Sequence, residues 1–191
     1  NEPFRHSKVT SLIDNTDTSI LNSTATVNIS KFFTPELSTE KSYSINFANK
    51  IYHPHGGHNR NAGGVLNSSG FNLTAETRYN IGDDINREYF LDDDGSGNVR
   101  IYYLSILERI YSPELAGKVD YHTGIVSLFP MNILSISDVD GVTSTEIKMS
   151  VVPDSYDVVP VRNQILELDL VNTNITASVD AITSTGQTFT T

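Results

Sequence analysis

Three groups of residues in this 191-residue chain have types and spacings suited to chemistry. The sharpest is Asp92-Asp93-Asp94-Gly95-Ser96-Gly97-Asn98-Val99. Read as a calcium loop, it offers oxygen donors at positions 1, 3 and 5 (Asp92, Asp94, Ser96), a turn glycine at 6 (Gly97) and an apolar residue at 8 (Val99). Position 12, where a bidentate Glu normally closes the shell, is Tyr103, and the flanks alternate like strands rather than helices. The competing reading is an acidic hairpin tip built from residues that tolerate turn dihedrals, and those flanks fit it better. The second group is His53, His55 and His58, close enough for imidazoles to share a transition metal. It has no nearby carboxylate to orient the rings, so a solvated polar loop is the plainer reading. The third is a set of Asn-x-Ser/Thr triplets starting at Asn22, Asn28, Asn67, Asn72 and Asn174, which are acceptors only in a secreted protein. In a chain so rich in Asn, Ser and Thr, such triplets also arise by chance.

Other chemistry is missing from the sequence. There is no G-x-S-x-G elbow, no H-E-x-x-H, no phosphate-binding loop and no dinucleotide fingerprint. Paired carboxylates such as Asp83–Asp84 are ordinary in an acidic chain. No catalytic, cofactor-binding or metal-ligating residue is therefore assigned, and neither enzymatic activity nor a cofactor is expected. The absence of cysteine removes disulfides, thiolate zinc sites and cysteine nucleophiles. The net charge of −10, with 13 scattered basic residues, disfavours a broad grip on nucleic acid or an anionic membrane. Nor is a small-molecule substrate indicated, and proteins are the expected partners.

The elements that would position these groups read as β. Ala25, Val27 and Ile29 alternate with polar neighbours, as do Tyr43, Ile45 and Phe47; Ile147, Met149 and Val151; and Leu166, Leu168 and Leu170 within Gln164–Asn172. Glu88–Leu91 and Val99–Leu104 flank the acidic tip as a hairpin. Gly117–Tyr121 and Gly124–Phe129 flank His122–Thr123 as another, with Gly124 able to take the positive φ of a tight turn. Asp138–Gly141 separates Ile133–Ile136 from a strand beginning near Thr145. Helical periodicity is confined to Ser105–Ile110 and a turn at Pro113–Ala116.

The fold class expected is mainly β: antiparallel, sandwich-like modules with few short helices. The Gly-rich stretch 53–64 reads as a surface loop, and Thr183–Thr191 as an end that frays or joins a partner. A boundary at Ser112–Pro113 would give a first module over 1–112 and a second over 113–191, or the chain is one domain. The chain reads as a piece of something longer.

Several segments, in order, resemble the C-terminal region of the baseplate wedge protein that forms the inner ring in T-even-like contractile phages. They are Ser11–Asp14 with Asn15-Thr16-Asp17 and Ser19–Leu21; Lys31-Phe32-Phe33-Thr34-Pro35; and Tyr43–Phe47 leading into Asn49–Ile51. Asp94–Tyr103, Gly117–Tyr121 with Thr123-Gly124, and Pro160–Ile165 with Glu167 and Asp169 complete the set. The resemblance implies a structural virion protein of the phage tail baseplate, assembled in the host cytoplasm. It further implies partners of two kinds, a second copy in a homodimer and ring, and other wedge proteins. That ring acts as a hinge between the dome and star forms of the baseplate. No activity or cofactor is implied.

Two rival functions fit the same composition. One is a secreted or cell-surface adhesive β-sandwich stabilised by calcium at Asp92–Asn98. The other is a carbohydrate-active accessory domain or enzyme, for which no catalytic constellation is visible.

Overall fold

The computed structural model describes residues 3–53, 64–79, 81, 86–106, 108–139, 141–159, 169–170 and 173–178. Its elements are α1 (His6–Asp14), β1 (Ile29–Phe33), β2 (Glu40–Asn46), β3 (Leu66–Ser68), β4 (Phe71–Leu73), β5 (Glu88–Asp93), β6 (Asn98–Ser105), β7 (Glu108–Asp120), β8 (Ile125–Ile136) and β9 (Ile147–Val151). The chain is mainly β with antiparallel pairing, as the alternation predicts.

Five strands close on themselves: β4 pairs β8, then β7, β6 and β5 follow, and β5 returns to β4. Closure removes the unpaired edges that an open sheet presents. From this barrel the sheet continues through β3 to β9 and β1, while β2 adds to β8. The interior takes every second side chain. On β9, Ile147, Met149 and Val151 are buried, and Lys148 and Ser150 are not. Tyr89, Leu91, Val99, Ile101, Val126, Leu128 and Ile133 join them in one cluster. Each such aliphatic or aromatic burial stabilises by roughly 1.5–3 kcal/mol.

Both expected hairpins form. The first pairs Tyr89 with Tyr103 through Asp93 with Val99. The second pairs Gly117 with Leu128 through Asp120 with Ile125. Gly124 ends the second turn at φ 72, and a Cβ there would lie 2.0 Å from the carbonyl oxygen of Asn49. Only glycine satisfies both demands.

Three local expectations are corrected. Ser105–Ile110 is not helical: β6 runs to Ser105, Ile106 sits in the turn, and β7 begins at Glu108. Pro113–Ala116 lies inside β7, where β-branched and aromatic neighbours pair across strands instead. Pro113 is accommodated by a register shift, since Ser112–Glu114 oppose Ile101 alone between the Tyr102–Tyr111 and Arg100–Leu115 pairs. A bulge needs no ladder donor from proline. Residues 25–28 are outside any strand, and pairing starts only at Ile29. Conversely, α1 was not signalled by the sequence; it buries no residue and has no side-chain cap.

Ser112–Pro113 thus falls within one continuous strand, and strands from either side of it share ladders. β2 and β4 pair β8, and β1 and β3 pair β9. The expected strand at Gln164–Asn172 and the terminal Thr183–Thr191 lie largely or wholly outside the described residues.

Candidate functional site

The three consecutive aspartates of the acidic tip go to different places. Successive side chains of a strand point to opposite faces, so Asp92 and Asp93 at the end of β5 diverge. Asp93 points inward and is fully buried. Its Oδ1 accepts the backbone N–H of Leu66 at 2.8 Å. Its Oδ2 accepts the N–H of Gly95 at 3.2 Å and the hydroxyl of Tyr121 at 2.6 Å. Gly64 packs against the same carboxylate, 2.1 Å from where its own Cβ would stand. Burial, and next the hydrogen bond to Asp93, push the Tyr121 hydroxyl far above the ordinary tyrosine range.

Asp92 points outward, yet only 1% of it is exposed, because a layer of side chains covers it. Its Oδ1 accepts Arg100 Nε at 2.9 Å, and its Oδ2 accepts Arg109 Nη1 and the Tyr111 hydroxyl, each at 2.8 Å. Burial raises its carboxyl above the usual range, against the pull of Tyr111, Arg100 and Arg109. Around it the rings stack across strands: Phe90 on Tyr102 at 5.7 Å, and Tyr102 by Tyr111 at 5.4 Å. Arg100 lies over the Tyr111 ring at 4.3 Å, and Arg109 over Tyr102 at 4.7 Å. Stacked guanidiniums that also hold a carboxylate form a rigid polar layer.

Asp94 serves the turn itself. Its Oδ1 accepts the N–H groups of Ser96 at 2.7 Å and Asn98 at 3.0 Å, and its Oδ2 accepts the Asn98 amide at 2.6 Å. Burial pushes this carboxyl up, but the bonds from Asn98 and Ser96 outweigh it and the net shift is downward. The first and third calcium-loop positions are therefore engaged by protein donors, and the hairpin-tip reading accounts for the motif. Among the described residues, no three His, Asp or Glu side chains gather as a metal-holding group. His53 stacks on Tyr121 at 4.6 Å, whereas His55 and His58 lie outside the described residues, as do Asp83–Asp84. Of the Asn-x-Ser/Thr positions, Asn72 is occupied structurally: its amide donates to the carbonyls of Asn86 and Arg87, and its Oδ1 accepts from Ser135.

Sequence reasoning missed the layer around Asp92 and the tip beyond it. On that outward face Leu104 is 53% exposed and Leu115 40%, and Ile106 in the turn is 96% exposed. Ile106 also holds φ at 45°, a region disfavoured for β-branched residues. A signal existed, since both faces of β6 carry large side chains: Val99, Ile101 and Tyr103 on one, Arg100, Tyr102 and Leu104 on the other. A strand with one solvated face would carry small polar residues there.

The sequence matches no described protein family, and no curated protein or solved structure is significantly similar to it.

Proposed function

We propose that this chain is a non-enzymatic structural subunit that works through protein–protein contacts, namely a wedge component of the inner ring of a contractile phage baseplate. The observation that supports a contact role is Ile106: a large apolar side chain, almost fully exposed, held in a strained turn on a stiff support. Gly or Asn would fill that turn at lower cost, so the isoleucine stands there against local preference. Strain at an exposed position points to a use for the side chain. The phage assignment is supported by the ordered segments at Lys31–Pro35, Tyr43–Phe47, Asp94–Tyr103 and Gly117–Gly124. In this reading the partners are a second copy and other wedge proteins, and the location is the virion.

Antibody raised against the purified chain and applied to intact contractile-tailed particles tests the assignment. Label confined to the baseplate end of the tail is the expected result. Label on the cell envelope would transfer the chain to the adhesive class.

A further inference from the structure

We propose that residues 3–28 form an arm that releases as one unit from a barrel that stays folded, with Asp157 serving both as its latch and as the cap of α1. Not one residue of that stretch is buried. Among the described residues, every hydrogen bond, ion pair and ring contact between the arm and the rest of the chain joins 4–6 to 156–158. Phe4 and Val158 exchange both backbone hydrogen bonds, at 2.9 and 3.1 Å. Arg5 Nη1 donates to Asp157 Oδ2 at 3.2 Å, and the His6 N–H donates to Asp157 Oδ1 at 3.0 Å. The His6 ring lies 5.0 Å from that of Tyr156. The other half of this clasp belongs to the body. Pro153 bridges Ile51, and the Asp154 N–H donates to the Lys50 carbonyl at 2.9 Å. The arm is therefore the part free to leave.

The start of α1 explains why latch and helix move together. Arg5 stands at the N-cap position, where its own side chain makes no cap bond, and the first turn holds no acidic residue. Ser, Thr, Asp or Asn usually fills that role. Here Asp157 fills it from far along the chain, taking the N–H of the first helical residue and setting a negative charge at the positive end of the helix. A nine-residue helix does not hold in water unaided, so leaving the latch removes the cap and melts α1. The His6 ring also bonds the Ala25 carbonyl at 2.8 Å, which ties the linker to the same event. The latch itself is weak. Its ion pair is exposed, and such pairs contribute little. Few buried apolar contacts and solvent-facing hydrogen bonds mark a unit that opens below global unfolding. Val158 is buried outside the main core cluster, so uncovering it leaves the barrel interior intact.

The test is hydrogen exchange of the full chain, followed by NMR at rising urea below the unfolding transition. The amides of Phe4, Val9, Asn15 and Val158, all hydrogen-bonded in the closed arm, should share one protection factor with a shallow urea dependence. Those of Leu91, Val126 and Met149 should be far better protected and depend steeply on urea. Asp157→Ala should speed exchange of the four arm and clasp amides about ten-fold, from a lost cap and a lost exposed pair together. Asp157→Asn keeps a capping oxygen and should speed them only about two-fold. The chain has no cysteine, so oxidised F4C/V158C carries a single crosslink, at a bridge whose Cα atoms stand about 5.5 Å apart. That crosslink should slow Val9 and Asn15 several-fold. Arm and barrel amides with the same urea dependence would overturn the proposal. So would Val9 and Asn15 exchanging while Phe4 and Val158 stay protected, or no slowing in the crosslinked chain, since either means that α1 frays alone. Equal effects of Asp157→Ala and Asp157→Asn would remove the capping role.

Discussion

The Tyr121 hydroxyl donates to Asp93 Oδ2 across 2.6 Å, joining the β7–β8 turn to the tip of β5 in the interior. Asp93 also holds the start of β3 through Leu66, and His53 stacks on the far side of Tyr121. One buried pair thus fastens several separate stretches of backbone.

Asp93→Ala should be among the most destabilising single changes. It orphans the Tyr121 hydroxyl and two backbone N–H groups, each costing about 1–3 kcal/mol when buried. Tyr121→Phe removes one bond to a charged acceptor and should cost about 1.5–3 kcal/mol. Urea denaturation of both variants checks the order; equal losses would mean that Tyr121 alone carries the effect.

Asp92→Ala strands two guanidiniums over a buried site and should cost about 3–5 kcal/mol, as for other broken buried pairs. Arg109→Ala should cost clearly less, because Arg100 and Tyr111 still hold the carboxylate and Arg109 is partly solvated. Thermal melts of the two variants decide this, and a larger loss for Arg109→Ala would place the weight on its stacking with Tyr102.

Acid should act on the two aspartates with opposite sign. Asp94 is depressed below 3.8 in the folded chain, so its contribution is present above 3.8 and is lost as pH falls through its folded value. Asp92 is raised, so its contribution is present below 3.8 and is lost as pH rises through its folded value. Stability measured in urea from pH 2 to pH 6 should therefore fall less steeply on acidification in Asp94→Ala than in the parent. In Asp92→Asn it should fall more steeply.

Calcium should leave the melting temperature unchanged, and so should a chelator. Both Asp92 oxygens and both Asp94 oxygens already accept protein donors. Calorimetry with and without the ion checks this; a calcium-dependent rise lost in Asp94→Ala would restore the calcium-loop reading.

Ile106→Asn should raise stability by up to about 1 kcal/mol, since Asn tolerates positive φ where a β-branched residue is strained. Chemical denaturation measures it. An unchanged or lower stability would show that the turn is relaxed as it stands.

Much of the β architecture was legible because it is written locally. Period-two alternation located β2 and β9, the Asp, Asn and Gly of the acidic tip located the first hairpin, and Gly124 located the second. What was not legible depends on distance along the chain. The return of β5 to β4 that closes the barrel brings Phe71 to Tyr89, and no local pattern announces that. The helices expected at Ser105–Ile110 and Pro113–Ala116 failed because cross-strand pairing and a bulge overrode weak local preference. For the candidate site, the acidic tip was visible in the sequence as a hairpin turn, but the layer of side chains around Asp92 was not. Strand alternation splits Asp92 from Asp93, and the arginines that engage Asp92 arrive from β6 and β7.

The pairing of β1 with β9 carries a consequence for synthesis. Ile29 meets Val151, so about 120 residues must be translated after β1 before its partner exists. At roughly 5–20 residues per second, that leaves β1 waiting on the ribosome for about 6–24 seconds. Phe32 and Phe33 sit in this waiting segment beside Lys31. A charge next to an unavoidable aromatic pair is what keeps a nascent strand from sticking to others of its kind. Lys31, which donates to the Asn46 carbonyl in the folded chain, thus also stands where a charge is of use before the protein is finished, when chains crowded on one message are closest together.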